Sequence, residues 1–297
     1  MIKRTICFSS SAYLSLSLGQ LVVSIDKLEM KKTIPIEDIG VVVLDSQQIT
    51  ITQGTLVQLL ENNVAVITCN ASHHPIGLQL CLEGNTTQSE RFQNQITSSE
   101  ALRKNLWQQT IQSKIYNQAM LLKERGIAHK NMLQWAKDTL SGDSRNHEAR
   151  AAAYYWQNMF PDDDTFCRER YGEYPNNFFN YAYALLRAQT ARALVASGLL
   201  PTLGIHHCNR YNAYCLADDI MEPYRPFADK LVLDTMHSCT QREITKEIKT
   251  SLLTLPVVDV KINKCQSPLQ IALQTTTASL SQCFAGKRRK IIYPTYE

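Results

Sequence analysis

No two of the chain's nine cysteines stand in a C-x-x-C pair, and their number is odd. That spacing argues against a zinc ribbon and against a disulfide framework. No apolar run approaches the roughly 20 residues that a membrane-spanning helix needs, so no membrane partner is expected. The N-terminal MIKRTICFSSSAYLSLSLGQ begins basic and carries leucines, but its serines break any apolar run. It reads as a strand and turn rather than a secretory signal, in a cytoplasmic protein. Internal repeats are missing, and so is the glycine–aromatic signature of the common RNA-binding folds, which sets an RNA-binding module aside. Net charge is scarce as well: 31 Lys and Arg against 27 Asp and Glu leave +4. A balance that small permits a polyanionic partner without requiring one.

What is present is enough chain, 297 residues with 44% apolar content, for two domains or one large one around a well-buried core. Up to about residue 80 the apolar residues fall in short β-branched runs: 21–25, 39–44, 49–52 and 64–69. Turn-formers such as Asp45-Ser46 and Asn62-Asn63 separate them, which predicts strands. Leu56, Leu59 and Leu60 share a face and predict one short helix over 55–61. A polar stretch at 84–89 lacks periodicity. The expected fold class is therefore α+β, with a small β-rich domain over 1–84, a linker over 85–98 and a larger, all-helical domain over 99–297.

In that second part Leu102, Leu106, Ile111, Ile115 and Leu122 follow Ser98 and Ser99 at helical spacing. Further helices are predicted near 144–160, 176–197, 212–236, 241–254 and 268–285. Pro223 and Pro226 must kink or break the helix over 212–236, because each removes a backbone donor. Thr240-Gln241-Arg242-Glu243 has the form of a capping box and predicts a helix start there. Gly198 and Gly286 have the placement of helix ends.

The stretch 204–226, GIHHCNRYNAYCLADDIMEPYRP, gathers most of the chemistry-bearing residues. Asp219 and Glu222 are three apart, so on a helix they share a face, and Arg225 three further on could simply neutralise Glu222. His206 and His207 alter that weighting, because imidazole beside carboxylates suits Mn²⁺ or Zn²⁺, while an oxygen-rich site also accepts Mg²⁺. Adjacent side chains tend to diverge, so at most one of the pair is expected as a ligand. Cys208 as a nucleophile would need a base in contact, which sequence neighbours rarely supply. A further carboxylate, Glu148, follows a plausible N-cap, Asp143, and precedes the small residues Ala149 and Ala151 to Ala153. It either serves the helix dipole or is carried to the site by close packing of that helix.

Four motifs together resemble a known family. They are Asn146-x-Glu148, Asn180-Tyr181-x-Tyr183-x-Leu185-Leu186-Arg187, Gly204-Ile205-x-His207, and Leu216-Ala217-x-Asp219-Ile220-Met221-Glu222-Pro223-Tyr224-Arg225-Pro226-x-x-Asp229. The chain is similar over essentially its whole length to the CRISPR-associated spacer-acquisition integrase/endonuclease, the larger universal CRISPR adaptation protein, most like its type II form. The resemblance implies a β-rich dimerisation domain followed by a helical catalytic domain. It also implies Glu148, His207 and Glu222 as catalytic residues and metal ligands for Mg²⁺ or Mn²⁺, with Asp219 near the site and His206 variable. The activity it implies is insertion of short foreign DNA into a CRISPR array, by transesterification of 3′-hydroxyl ends onto repeat ends. Implied partners are double-stranded DNA (protospacer and CRISPR repeat), a second copy of the chain, a small CRISPR adaptation partner protein, and the RNA-guided effector nuclease of a type II system. The competing expectation is a catalytically silent DNA-binding scaffold whose carboxylates only pair with Arg225 and its neighbours. Arg145, Arg150, Arg187, Arg225 and the run 287–290 would serve either by contacting phosphates.

Overall fold

The computed structural model describes residues 2–25, 30–161, 166–170 and 172–297. Its first part comprises β1 (Arg4–Phe8), β2 (Ala12–Ser17), β3 (Gln20–Ile25), β4 (Met30–Pro35), β5 (Ile39–Leu44), β6 (Ile49–Ile51), helix α1 (Gln53–Glu61), β7 (Ala65–Cys69) and β8 (Pro75–Gln79). They form two four-stranded sheets, ordered β1-β5-β7-β8 and β4-β3-β2-β6. In the first sheet β1, β5 and β7 run parallel and β8 is antiparallel to β7. In the second, β2 and β3 form an antiparallel hairpin, with β4 antiparallel to β3 and β6 parallel to β2.

Side chains alternate across a strand, and β5 uses both of its faces. Val42 joins Leu14, Leu21, Leu59 and Val66 in a core between the sheets. Val41 and Val43, on the other face, join Ala65 and Ile67 in the core of the helical part. A parallel strand covered on both sides reads as an unbroken apolar run, which is why Ile39–Leu44 shows no alternation in sequence.

The second part contains α2 (Gln88–Ile96), α3 (Glu100–Glu124), α4 (Lys130–Asp138), α5 (His147–Met159), α6 (Asn176–Ala196), α7 (Cys215–Met221), α8 (Arg225–Ser238), α9 (Lys246–Leu252) and α10 (Leu269–Phe284). A hairpin of β9 (Asp259–Ile262) and β10 (Cys265–Pro268) is inserted before α10, so this part is mostly rather than wholly helical. Helix α6 is buried nearly all round and lies at the centre, against α7, α8 and α10.

Several local expectations are met. Ser99 caps α3 by accepting from Leu102 N; Asn146 rather than Asp143 holds the N-cap position of α5, but both carboxylate oxygens of Asp143 accept its first amides, from His147 and Glu148, at 2.9 Å. Gly198 and Gly286 follow α6 and α10 at φ 68° and 69° and close them. The two prolines divide the expected helix into α7, a single 3₁₀ turn at Glu222–Tyr224, and α8.

Two expectations are corrected. The 240–243 capping box does not start a helix; α9 begins at Lys246, capped by Thr245, while the carbonyl of Arg242 is taken by Asn177 Nδ2. The stretch 85–98, expected as a linker, contains α2, and its polar residues satisfy carbonyls at the end of α6 and in the segment that follows it. Asn85 Nδ2 donates to Ala196 O and Arg91 to Ser197 O. Gln95 Nε2 donates to Leu200 O and Leu203 O at 3.0 Å, and Gln95 Oε1 accepts from Leu200 N. Polarity that looked like linker composition is there to grip the segment leading to the histidines.

Candidate active site

Three elements bring charge to one buried point. Glu148 stands in the first turn of α5, placed by the Asp143 cap, and Glu222 opens the 3₁₀ turn between α7 and α8. Between them lies Lys114 of α3, with its ammonium 2.7 Å from Glu148 Oε1 and 2.6 Å from Glu222 Oε2. The contact to Glu148 is a hydrogen bond; that to Glu222 is an ion pair by distance, without hydrogen-bond alignment, so Oε2 lacks a properly directed donor. Arg225 closes the group, its guanidinium 2.8 Å from Glu222 Oε1 and 4.6 Å over the Tyr183 ring.

The electrostatics follow from burial and pairing. Glu222 is 3% exposed, which by itself would raise its pKa, yet Arg225 and Lys114 outweigh that and hold it below the usual carboxylate value. Burial would likewise depress Lys114, but the two glutamates overcome it and the net shift is upward. Lys114 and Glu222 therefore stay charged although buried, an arrangement that burial tolerates only when each charge is partnered.

The histidines arrive on the loop between α6 and α7. Asp219, 0% exposed on α7, organises it: one carboxylate oxygen accepts from Ile205 N at 2.7 Å and His206 N at 3.0 Å, the other from His207 N at 3.3 Å and His207 Nδ1 at 2.5 Å. Residue 204 must be glycine in this turn, because a Cβ there would lie 2.3 Å from His207 O and 2.7 Å from Asp219 Oδ2. The His207 pKa is raised, first by its hydrogen bond to Asp219 and against the effect of burial, with Glu222 and Glu148 adding to the rise. An imidazole tied at Nδ1 presents Nε2 outward. His207 also lines a cleft of about 410 Å³ shared with Arg103, Asn209, Arg210 and Cys215.

The two imidazoles do not diverge as adjacent side chains were expected to. His206 stacks flat on Trp107 of α3 at 4.2 Å, and His207 meets the same indole edge-on at 5.6 Å. Asp219's three-amide grip curls the loop so that both rings fall on α3. Adjacent Asp218 turns the other way, to Arg187 Nε at 2.6 Å and Asn212 Nδ2 at 2.7 Å. Of the basic residues named above, Arg145, Arg150 and the run 287–290 are exposed, whereas Arg187 and Arg225 are committed to Asp218 and Glu222.

Among the described residues, no three His, Cys, Asp or Glu side chains converge closely enough to hold an ion as they stand. Glu148, Glu222 and His207 share one electrostatic neighbourhood, with Lys114 between the two carboxylates. Lys114 and Trp107 escaped the sequence reading, although Lys114 leaves a signal: it continues the buried face of α3 at helical spacing with Ile111 and Ile115. A lysine on an apolar stripe is buried only when paired, which implies acidic partners for Lys114 elsewhere in the chain.

The fold and this cluster define a class before any comparison is made: a strand-rich part and a helical part sharing a core, with a partnered carboxylate–histidine centre at the helical end. Solved structures of that fold include a casposase bound to integration product, with TM-score 0.80 and 18% identity over 100% of this chain and 95% of that one. A CAS1 protein from Thermotoga maritima gives 0.75 and 15% over 99% and 100%. The profile of CRISPR associated protein Cas1 matches residues 6–252, and this chain belongs to that family. The CRISPR-associated endonuclease Cas1 of Neisseria meningitidis serogroup C is 33% identical over 98% of this chain and 95% of its own length.

Proposed function

We propose that this chain is a divalent-metal-dependent DNA strand transferase and endonuclease of CRISPR adaptation. In this reading it joins the 3′-hydroxyl ends of a short captured duplex to the ends of a CRISPR repeat, and cuts DNA when water replaces the hydroxyl. The observation that carries it is the Lys114 ammonium lying within 2.7 Å of both the Glu148 and Glu222 carboxylates beside an Asp219-oriented His207. Family membership and the endonuclease name of the Neisseria relative support the same reading.

The residues fit a hard divalent cation. Two carboxylates and an imidazole are a suitable donor set for Mg²⁺ or Mn²⁺, Glu222 Oε2 lacks a directed donor, and an ammonium stands between the carboxylates where positive charge is called for. Glu148, Glu222 and His207 Nε2 would hold the ion, which would supply activation of the attacking hydroxyl and neutralisation of charge on the phosphate. The chain's own residues do the positioning. Asp219 keeps the Nδ1 proton in place and so fixes which nitrogen faces the site. Arg225, held over Tyr183, anchors Glu222 by Oε1 and leaves Oε2 for the reaction side. No covalent link to the enzyme is needed, because the attacking hydroxyl would displace the leaving oxygen at phosphorus directly.

Partners follow from the same reading. Double-stranded DNA is the substrate; two structural relatives were solved as a TtCas1–DNA complex and as a Cas6-RT-Cas1–Cas2 complex, in which this chain matches 35% of a longer chain. We extend this to a homodimer through the strand-rich part, where pairing would cover sheet edges, to a small Cas2-like partner, and to a type II effector nuclease.

The silent-scaffold reading is favoured by one observation, the pairing of Glu222 with Arg225 that it expected. The test is to incubate the protein and its small partner with supercoiled repeat-bearing DNA and short duplexes in Mn²⁺, Mg²⁺ or EDTA. Joined product with either ion and none in EDTA supports catalysis; binding without joining under every condition supports the scaffold.

A further inference from the structure

We propose that Lys114 is a tethered cation that keeps the site assembled without a divalent ion, competes with that ion, and makes its binding depend on DNA. The inference rests on the reading that Glu148 and Glu222 hold a metal. It begins from charge. Glu148 and Glu222 come from different elements, and side by side in a buried place they would repel. Lys114 contacts both at 2.7 and 2.6 Å while only 7% exposed, and its helix stays rigidly packed along Leu106, Ile111, Ile115 and Leu122.

With Arg225 on Glu222, the four paired groups Glu148, Glu222, Lys114 and Arg225 balance one another as they stand. A divalent ion entering a buried cluster so balanced would leave it with an excess of positive charge, in surroundings that screen charge poorly. A DNA phosphate brings the missing negative charge. The ion and the DNA should therefore each strengthen the other's binding, by the same factor, since the coupling is reciprocal. Removing the ammonium leaves a net negative site that welcomes the ion without DNA. Lys114 is in this account a positioning residue, acting through the two glutamates.

The experiment measures Mn²⁺ binding by calorimetry, first alone and then with a short duplex added. It uses the full chain as wild type, K114M, K114Q, K114R, E148Q and E222Q. K114M should bind Mn²⁺ alone about tenfold or more tightly than wild type, about 1.4 kcal/mol per tenfold. Wild type and K114R should gain affinity when the duplex is added, and K114M should gain little. K114Q, which keeps a donor for both carboxylates without the charge, gives the same test should K114M fail to fold. Unchanged or weaker Mn²⁺ binding in K114Q and K114M, with binding lost in E148Q and E222Q, would overturn the inference and leave the metal reading intact. Binding that survives in both E148Q and E222Q would overturn the metal reading, and the inference with it.

Discussion

The two faces of β5 look into different interiors. Toward the second sheet, Val42 meets Leu14, Leu21, Leu59 and Val66, a core held by apolar burial, with Thr55 of α1 bonded locally to Thr52. Toward the helices, the core that Val41 and Val43 join also encloses Lys114, Asp219, Glu222 and Asp229, all under 9% exposed. Each of these has a charged or hydroxyl partner within hydrogen-bond or ion-pair distance. Apolar burial needs no addressing, because any well-packed methyl group contributes. Buried charge does need it, since an unpartnered carboxylate costs several kcal/mol. The second interior therefore carries a specific constellation, at a cost in stability that a purely structural core would not bear.

That contrast predicts opposite signatures for substitutions on its two sides. The largest effect is expected in the charged interior: Glu148→Ala, His207→Ala and Glu222→Ala should each reduce strand transfer by about a thousandfold or more, with circular dichroism still native. In the apolar interior, Leu14→Ala should lower unfolding free energy by about 2–5 kcal/mol in a urea titration, with the specific activity of the folded protein unchanged. A Leu14 variant as inactive as the glutamate variants would erase the distinction.

Asp229 gives a smaller effect with a definite sign. Burial, first of all, pushes its carboxyl from 3.8 up to about 6, against the hydrogen bonds from Tyr183 and Tyr155. A folded pKa above the unfolded one means the fold holds the extra proton, so this contribution is present below the unfolded pKa and is lost as pH rises through about 6. Asp229→Asn should therefore flatten the fall in stability between pH 4 and 6, by about 2–3 kcal/mol across that window. A thermal-melt profile in which the mutant tracks wild type through that range would show Asp229 to be ionised throughout.

The smallest effect separates the adjacent histidines. His206→Ala removes the flat stack on Trp107, worth about 0.5–1.5 kcal/mol, and should retain most strand-transfer activity. If His206 proved essential and His207 dispensable on the same gel assay, the Gly204-Ile205-x-His207 alignment would be displaced by one residue.

The legibility of these two interiors in the sequence also differed. Strands of the first show in β-branched runs such as Ile39–Leu44, and helices such as α6 show in long periodic stretches, because burial imprints a repeat on the chain. The capping role of Asp143 and the closure at Gly198 were readable because a local hydrogen-bond need selects those residue types. What was not readable depends on contacts distant along the chain. Helix α2 reads as linker because its residues are polar, and the partners of Arg91 and Gln95 are carbonyls more than a hundred positions away. Helix α4, nine residues long, was not anticipated. Motif resemblance pointed to Glu148, His207 and Glu222; that Lys114 stands between two of them is a fact of packing among α3, α5 and the 3₁₀ turn, which no spacing records.

The central claim is that Glu148, Glu222 and His207 act as one catalytic centre rather than as structural pairs. It is tested most directly by measuring, for wild type and Glu148→Ala, both DNA affinity in EDTA and strand transfer in Mn²⁺. Removing a carboxylate removes repulsion from phosphate, so the account predicts that Glu148→Ala binds duplex in EDTA as tightly as wild type or more tightly, with the same salt dependence, and joins no DNA in Mn²⁺. Loss of DNA binding in EDTA as complete as the loss of joining would contradict it and make Glu148 a structural residue.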